Sequence, residues 1–466
     1  MRFLFFVATI FLACQINGQT CNCESNFEWV KKTFEENDAG FQYVIDKKGQ
    51  AAYNIHNQLM LEKIKEAETL TECTGLLYEW LTFFRSEHLG IERLTYEASV
   101  SLKYETYEVD IPQFEKYIST KQEADYEGIW KSGSSTIGIK KEGINYIGFF
   151  IEAEANAWRI PVQIVLKIDQ YDNDVKSTTY MQDHSSIESG EPQLIGSNHL
   201  KIGPYIWNRL SPVFVDDPLF ENYFKAIDSE NPYLEKLNAN TLYLRIPSFE
   251  FKSAIDKLIT ENNDKILKTD NLIIDLRDNG GGDDRSFQKL LPILYTNPIT
   301  SVGVEILSTE LNNKLFLDYT KEANFIVRFV YKRIYKKMQK RLGEFVLLGD
   351  KEVDTYQQKV VYEYPKNIGI IIDRGCASST EEFLLAAKQS EKVKMFGAPT
   401  LGCLDISNVV SVESPCKEFN LLYSISKSLR IPENAVDDTG ILPDIYIDET
   451  IPQHKWVEFV NENLHQ

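Results

Sequence analysis

The strongest constraint on this chain is a pair of short β-branched runs, each of which stops at a turn of small residues. Ile368 to Ile372 is continuous and apolar and is bounded by Asp373-Arg374-Gly375, which predicts a strand covered on both faces. Asn271 to Gly282, NLIIDLRDNGGG, predicts a second buried strand ending in a charged turn, where three successive glycines let backbone approach a ligand closely. After the first run come Cys376, Ala377, Ser378 and Ser379. From Thr380 the pattern turns helical, with Phe383, Leu384, Ala386 and Ala387 on one side and Glu381, Glu382 and Lys388 elsewhere. Ser378 and Ser379 thus fall at a helix N-terminus, where N–H groups and the positive end of the helix dipole favour an alkoxide or a tetrahedral oxyanion. Helix capping explains the same serines without any chemistry. Near the C-terminus, Asp437-Asp438-Thr439-Gly440-Ile441-Leu442-Pro443-Asp444 sets carboxylates beside another Gly/Pro turn.

A chain of 466 residues is too long for one ordinary core and predicts two or three domains. Hydrophobic content of 43% with 26% charged residues describes a globular protein, and a net charge of −19 argues against nucleic acid and anionic membrane surfaces as partners. The start reads as a secretory leader over 1–19: Arg2, an apolar core from Phe3 to Ala13, and small or polar residues around Asn17-Gly18-Gln19. Leu12-Ala13-Cys14 offers an alternative, a lipoprotein processing site. Either way the expected location is secreted or periplasmic. The leader is too short to span a bilayer, and no later apolar run is long enough.

Removing Cys14 leaves six cysteines, Cys21, Cys23, Cys73, Cys376, Cys403 and Cys416, an even count that permits disulfides in an oxidising compartment. Cys403 and Cys416 are close enough in sequence to close a loop, and Cys73 can tie to Cys21 or Cys23. Cys21-x-Cys23 lacks the gap of a metal site and no histidine pair lies nearby, so no metal is expected. Neither a P-loop nor a dinucleotide fingerprint appears, since Gly280-Gly281-Gly282 runs into Asp283-Asp284, which repels phosphate; no cofactor is expected.

Along the chain, 24–84 is helical in period, with Leu76, Leu77, Trp80, Leu81 and Phe84 on one face. His88 follows in the loop past the helix end. From 125 to 215 short β-rich segments alternate with Gly, Asn, Asp and Ser, the pattern of a small antiparallel barrel or sandwich. Strands alternating with helices resume after Leu242. Within a helical stretch from Leu311 to Phe345, Tyr331 to Lys337 is locally basic, which reads as a solvated face or, more sharply, as a lid or a docking surface for acidic substrate.

Taken in order, strand-LRDNGGG, RGCASSTEEF, FGAPTLG and DDTGILPD resemble the C-terminal processing (tail-specific) serine peptidases and the related tricorn core peptidases, over roughly Thr241 to Asp448. The resemblance implies that Ser378, three residues before Glu381, is the nucleophile and that the Ser379 N–H, with Gly280 or Gly281, binds the oxyanion. The Ser–Lys branch places a lysine directly after the glycine of G-x-x-T-x-G, yet Gly402 is followed here by Cys403. The tricorn branch implies instead a histidine from the end of the N-terminal helices, matched by His88, and a carboxylate three residues before the glycine of G-[IV]-x-P-D, matched by Asp437. Processing peptidases often carry a PDZ domain in the middle, but no PDZ carboxylate-binding loop is present, so another β-domain takes its place. Cys376, two residues before Ser378, reads as a small buried hydrophobe or an idle thiol.

The expected architecture is a multidomain α/β protein: a helical N-terminal unit (20–110), an antiparallel β-barrel-like middle domain (120–235), and a C-terminal αβ core (240–466), ClpP/crotonase-like by the resemblance, with a helical insertion at 311–345. The expected function is a serine endopeptidase or carboxy-terminal processing peptidase acting on protein or peptide through Ser378, His88 and Asp437. Its rivals are a non-catalytic binding protein on the same scaffold and an esterase using the same serine.

Overall fold

The computed structural model describes residues 22–94, 105–152, 161–171, 174–181, 186–203, 205–318, 325–347, 349 and 351–465. The expected leader, with Cys14, and Cys21 lie outside the described residues. The chain divides into two units of interleaved segments: 1–96, 304–350 and 406–429 in the first, and 97–303, 351–405 and 430–466 in the second.

The first unit opens with helices Cys23–Asn37, Phe41–Lys48, Gln50–Lys65 and Leu70–Thr82. Two start from complete capping boxes, Asn22 with Ser25 and Thr69 with Glu72, which satisfy N–H groups that a helix cannot bond internally. Phe27, Phe34, Leu77, Trp80, Leu81 and Phe84 are buried together, at the spacing the sequence shows. Helices Glu310–Asp318 and Phe325–Met338 contribute to this same core through Phe316 and Met338. So does a sheet in which Gly90–Arg93, Phe419–Ser428, Val304–Leu307 and Phe345–Leu347 are neighbours in that order, with Ile406–Glu413 paired to Phe419–Ser428. Among the described residues, these two helices therefore share a core with the N-terminal helices and not with the parallel sheet.

Cys23 and Cys73 form a disulfide across the first and fourth helices, with Cα atoms 5.5 Å apart. The expected Cys403–Cys416 bridge is absent: Cys403 is a buried thiol, and Cys416 is disulfide-bonded to a different residue. Closeness in sequence misled here because Ile406–Glu413 is a strand between them. At about 3.3 Å per residue its eight residues carry the chain roughly 25 Å onward before the turn that holds Cys416.

In the second unit nine antiparallel strands make one curled sheet, ordered Ser186–Gly190, Asp174–Tyr180, Ile164–Tyr171, Asn145–Glu152, Ser135–Glu142, Gly128–Ser132, Tyr205–Ser211, His199–Ile202 and Gln193–Ile195. Trp130, Ile137, Ile139, Tyr146 and Phe150 from this sheet are buried together in one core. The second sheet has four parallel strands at its centre, Thr241–Arg245, Asn271–Asp275, Asn367–Ile372 and Val393–Gly397, flanked by antiparallel Tyr233–Lys236 and parallel Ile445–Tyr446. Alternate residues feed opposite cores: Leu272, Ile274, Ile368 and Ile370 meet Phe383 and Leu384 on one face, while Ile273 and Ile371 meet Trp456 and Val460 on the other. Cover on both faces is why these strands read as unbroken apolar runs. All four parallel strands end on the same edge, so the LRDNGGG and RGCASS turns emerge side by side, with Asn271 to Asp275 in register with Asn367 to Ile371. No helix among the described residues is long and apolar enough to cross a membrane.

The Cys23–Cys73 bridge closes a span of 50 residues, for which the chain-entropy model gives about 4 kcal/mol of stabilisation. Cys73→Ser should lower the unfolding free energy of the first unit by up to that amount, measured as a lower urea midpoint; an unchanged midpoint would contradict a structural role for the bridge.

Candidate active site

The glycine turn is held rigid from below. Asp275, the last residue of its strand, is fully buried and pairs with Arg277 at 2.6 Å, while the Tyr243 hydroxyl donates to it at 2.7 Å. Burial by itself would raise the Asp275 pKa, yet the Arg277 and Arg245 guanidinium groups hold the carboxyl well below the usual carboxylate range. Asn279, also fully buried, then points its side chain back into the fold. Its amide nitrogen donates to the Ile246 carbonyl, and its Oδ1 accepts from the Gly281 N–H at 3.0 Å and the Thr380 hydroxyl at 2.8 Å. One side chain thereby joins the glycine turn to the helix that follows Ser378.

The second turn is set against the first. The Asp373 carboxylate accepts from the N–H groups of Asp278 and Gly375, and burial together with the neighbouring Asp278 charge pushes its pKa up to about 6. Cys376 is fully buried and donates to the Leu276 carbonyl; burial pushes its thiol far up, so it is idle at neutral pH.

Ser378 caps helix Ser379–Ala387 with φ 55° and ψ −122°. A capping serine sits at ease in extended backbone, whereas a non-glycine residue at positive φ is strained, and such strain persists only where surrounding structure imposes it. The surroundings here are explicit. The Ser378 N–H lies between the Cys403 carbonyl at 3.0 Å and Glu381 Oε2 at 3.2 Å, and Ala377 N–H donates to the Asn279 carbonyl. Glu381, itself buried, also accepts from the N–H groups of Gly402 and Cys403, both at 2.8 Å, and from the Thr400 hydroxyl. Burial raises the Glu381 pKa and these donors oppose the rise.

The structure brings Ser378, Ser379, Gly280 and Gly281 together. A Cβ built on Gly281 would lie 2.8–2.9 Å from Ala377 O, Ser378 Cβ and Ser379 N, and its φ of 104° excludes other residues as well. The two glycines are not equivalent as donors: Gly281 gives its N–H to Asn279, while among the described residues the N–H groups of Gly280 and Ser379 have no acceptor. The Ser379 hydroxyl bonds the Gly282 carbonyl at 2.9 Å.

Asp437 binds the loop after Cys403, its Oδ1 accepting from Leu404 and Asp405 N–H at 2.6 Å each. Asp405 returns the contact by accepting the Val436 and Asp437 N–H groups, and Arg430 bridges Asp405 to Glu382. The motif reading did not pick out Asp405, Arg430 and Asn279. The only signal for them is the polar type itself, inside segments otherwise apolar enough to be buried.

His88 belongs to the first unit. It has φ 57°, its Nδ1 lies 2.8 Å from the Ile406 carbonyl, and its own carbonyl accepts from Arg85 and Ser424. Arg85 is fixed in turn by a two-pronged bond to buried Asp38. Burial lowers the His88 pKa, with the Ile406 carbonyl acting against it. A carbonyl can only accept, so Nδ1 carries the proton and Nε2 keeps the lone pair that a base needs.

Gly281→Ala should disturb the Ser378 turn and cost about 1–3 kcal/mol of stability with most of any activity. Gly280→Ala, whose added Cβ meets nothing within 4 Å, should keep the wild-type melting temperature. Equal melting temperatures for the two variants would contradict the close approach described for Gly281.

Residues 240–447 match the model of Peptidase family S41. No curated protein matches the sequence. Among solved structures, mature CPAF is similar over 95% of this chain and 96% of its own, at 12% identity and a TM-score of 0.53. Mature CPAF complexed with lactacystin gives 95%, 97%, 12% and 0.52 for the same quantities, and the photosystem II D1 C-terminal processing protease 96%, 98%, 11% and 0.40. At such identities the CPAF likeness is one of fold, and the matched family segment is what contains the glycine turn, Ser378 and the FGAPTLG turn. The chain is thus a serine peptidase carrying a peptidase family S41 domain over residues 240–447.

Proposed function

We propose that this chain is a secreted or periplasmic peptidase of the C-terminal processing type that cleaves peptide bonds through an acyl-enzyme on Ser378. The observation that carries the reading is the positive φ of Ser378 at a helix start, a strain that capping does not require. His88 is the base: its Nε2 takes the Ser378 proton and returns it to the leaving amine. The tetrahedral oxyanion is received by the N–H groups of Ser379 and Gly280, which have no acceptor among the described residues. Asp437 acts as a positioning residue, since its Oδ1 accepts the two N–H groups that immediately precede Ile406 in the chain, and the Ile406 carbonyl holds Nδ1 of His88. Secretion is supported by the leader-like start and by the Cys23–Cys73 disulfide.

Ser378→Ala and His88→Ala should each abolish hydrolysis of an unfolded protein, and the double variant should be no worse than either, because nucleophile and base act as a unit. Asp437→Asn should be milder or equal. Ser379→Ala keeps the backbone N–H and should stay within about tenfold of wild type, a barrier change of roughly 1.4 kcal/mol. A base must be unprotonated, and burial lowers the His88 pKa, so the acid limb of kcat/KM should fall at an apparent pKa below the ordinary 6.5. A limb above that value, or activity retained in His88→Ala, would assign the base elsewhere.

A further inference from the structure

Helix Phe325–Met338 stands apart from the rest of the chain in both charge and exposure. Residues 325–343 contain seven Lys and Arg and no Asp or Glu, in a protein of net charge −19. One face of the helix is spent on packing: Tyr331 stacks on Phe316 with ring centroids 4.8 Å apart, and Met338 is fully buried. The opposite face carries Phe325 and Phe329, 83% and 64% exposed, one turn apart. Along the same line toward the C-terminus follow Lys332, Arg333, Lys336 and Lys340, none of which has a carboxylate partner among the described residues. Two bare phenylalanines leading into a row of unpaired cations leave apolar surface in water and gather like charges, and neither helps the fold.

We propose that this helix face docks on an anionic phospholipid surface, with Phe325 and Phe329 entering the acyl boundary and the four cations meeting headgroup phosphates and carboxylates. The clefts of about 440–450 Å³ elsewhere in the chain take no lining residue from this face, so it suits a plane better than an extended peptide seeking a groove. Aromatic and cationic side chains on one exposed face are the composition of an interfacial helix. The overall negative charge opposes this only weakly. At physiological salt the Debye length is about 8 Å, so the surface senses the helix that touches it far more than carboxylates lying beyond that distance.

The test is vesicle co-sedimentation of the full chain, with phosphatidylcholine alone and with phosphatidylcholine mixed with phosphatidylserine. Wild type should bind only the mixed vesicles, and binding should fall steeply as salt rises. Reversing the four cations (Lys332→Glu, Arg333→Glu, Lys336→Glu, Lys340→Glu) should weaken binding by roughly a hundredfold or more. Phe325→Ser with Phe329→Ser should weaken it while leaving the salt dependence in place. Ser378→Ala should bind as wild type does, which separates this proposal from the peptidase mechanism. If the reversed variant melts early, the wild-type salt titration and the phenylalanine pair still decide. The proposal is overturned if wild type ignores mixed vesicles, if its binding is insensitive to salt or to the reversal, or if it binds polyglutamate but no vesicle. Self-association that the reversal abolishes, without vesicle binding, would likewise overturn it and make a second copy the occupant.

Discussion

Two oxygens of one buried carboxylate hold the carboxyl edge of the parallel sheet in a single shape. Glu381 receives the N–H of Ser378 from one turn and the Gly402 N–H, Cys403 N–H and Thr400 hydroxyl from another. Thr400 in turn accepts the Ile441 N–H, so the DDTGILPD segment is tied to the same acceptor. A buried carboxylate is tolerable only when its lone pairs are filled, and here four donors fill them. The cost of burying Glu381 is thereby converted into position: the Ser378 backbone is clamped on one side by Glu381 and Cys403 and on the other by the glycine turn, and it keeps a conformation that it would not adopt freely.

The parts of the fold that were legible in the sequence are those where one physical requirement dominates. Leu272 to Ile274 and Ile368 to Ile372 are buried on both faces and show it as unbroken apolar runs. Helix Leu70–Thr82 shows its period because one face meets a core while the other meets water. Strands Ser135–Glu142 and Asn145–Glu152 carry enough β-branched and aromatic residues to show, but Ser186–Gly190 and Gln193–Ile195 at the sheet edges carry too few apolar residues to announce themselves. Long-range arrangement left no local trace. That the helices of 311–345 share a core with residues 23–84 follows from chain crossings between units, which no window of sequence records.

The site divides in the same way. Gly281 and Ser378 are legible because their backbone demands are severe: a Cβ at one would strike the other's turn. Spacing suggests a pairing of Cys403 with Cys416, and it fails because the strand Ile406–Glu413 carries the chain away between them, leaving Cys403 a buried thiol. Asn279 was hidden inside a motif valued for its glycines, although it is the side chain that fixes Gly281 and Thr380 at once. Polar residues that act by bonding backbone leave a weaker sequence signal than those whose type is chemically distinctive, because many side chains could accept an N–H and only the fold selects one.

The central proposal is that the strained serine, and not its neighbour in the helix, is the nucleophile, and that His88 activates it. Reaction of the folded protein with a serine-directed fluorophosphonate, followed by peptide mass mapping, tests both halves in one measurement. The account predicts a single adduct on Ser378 in the wild type and none in His88→Ala. An adduct on Ser379, unchanged labelling in His88→Ala, or a folded wild-type protein that remains unlabelled would contradict it.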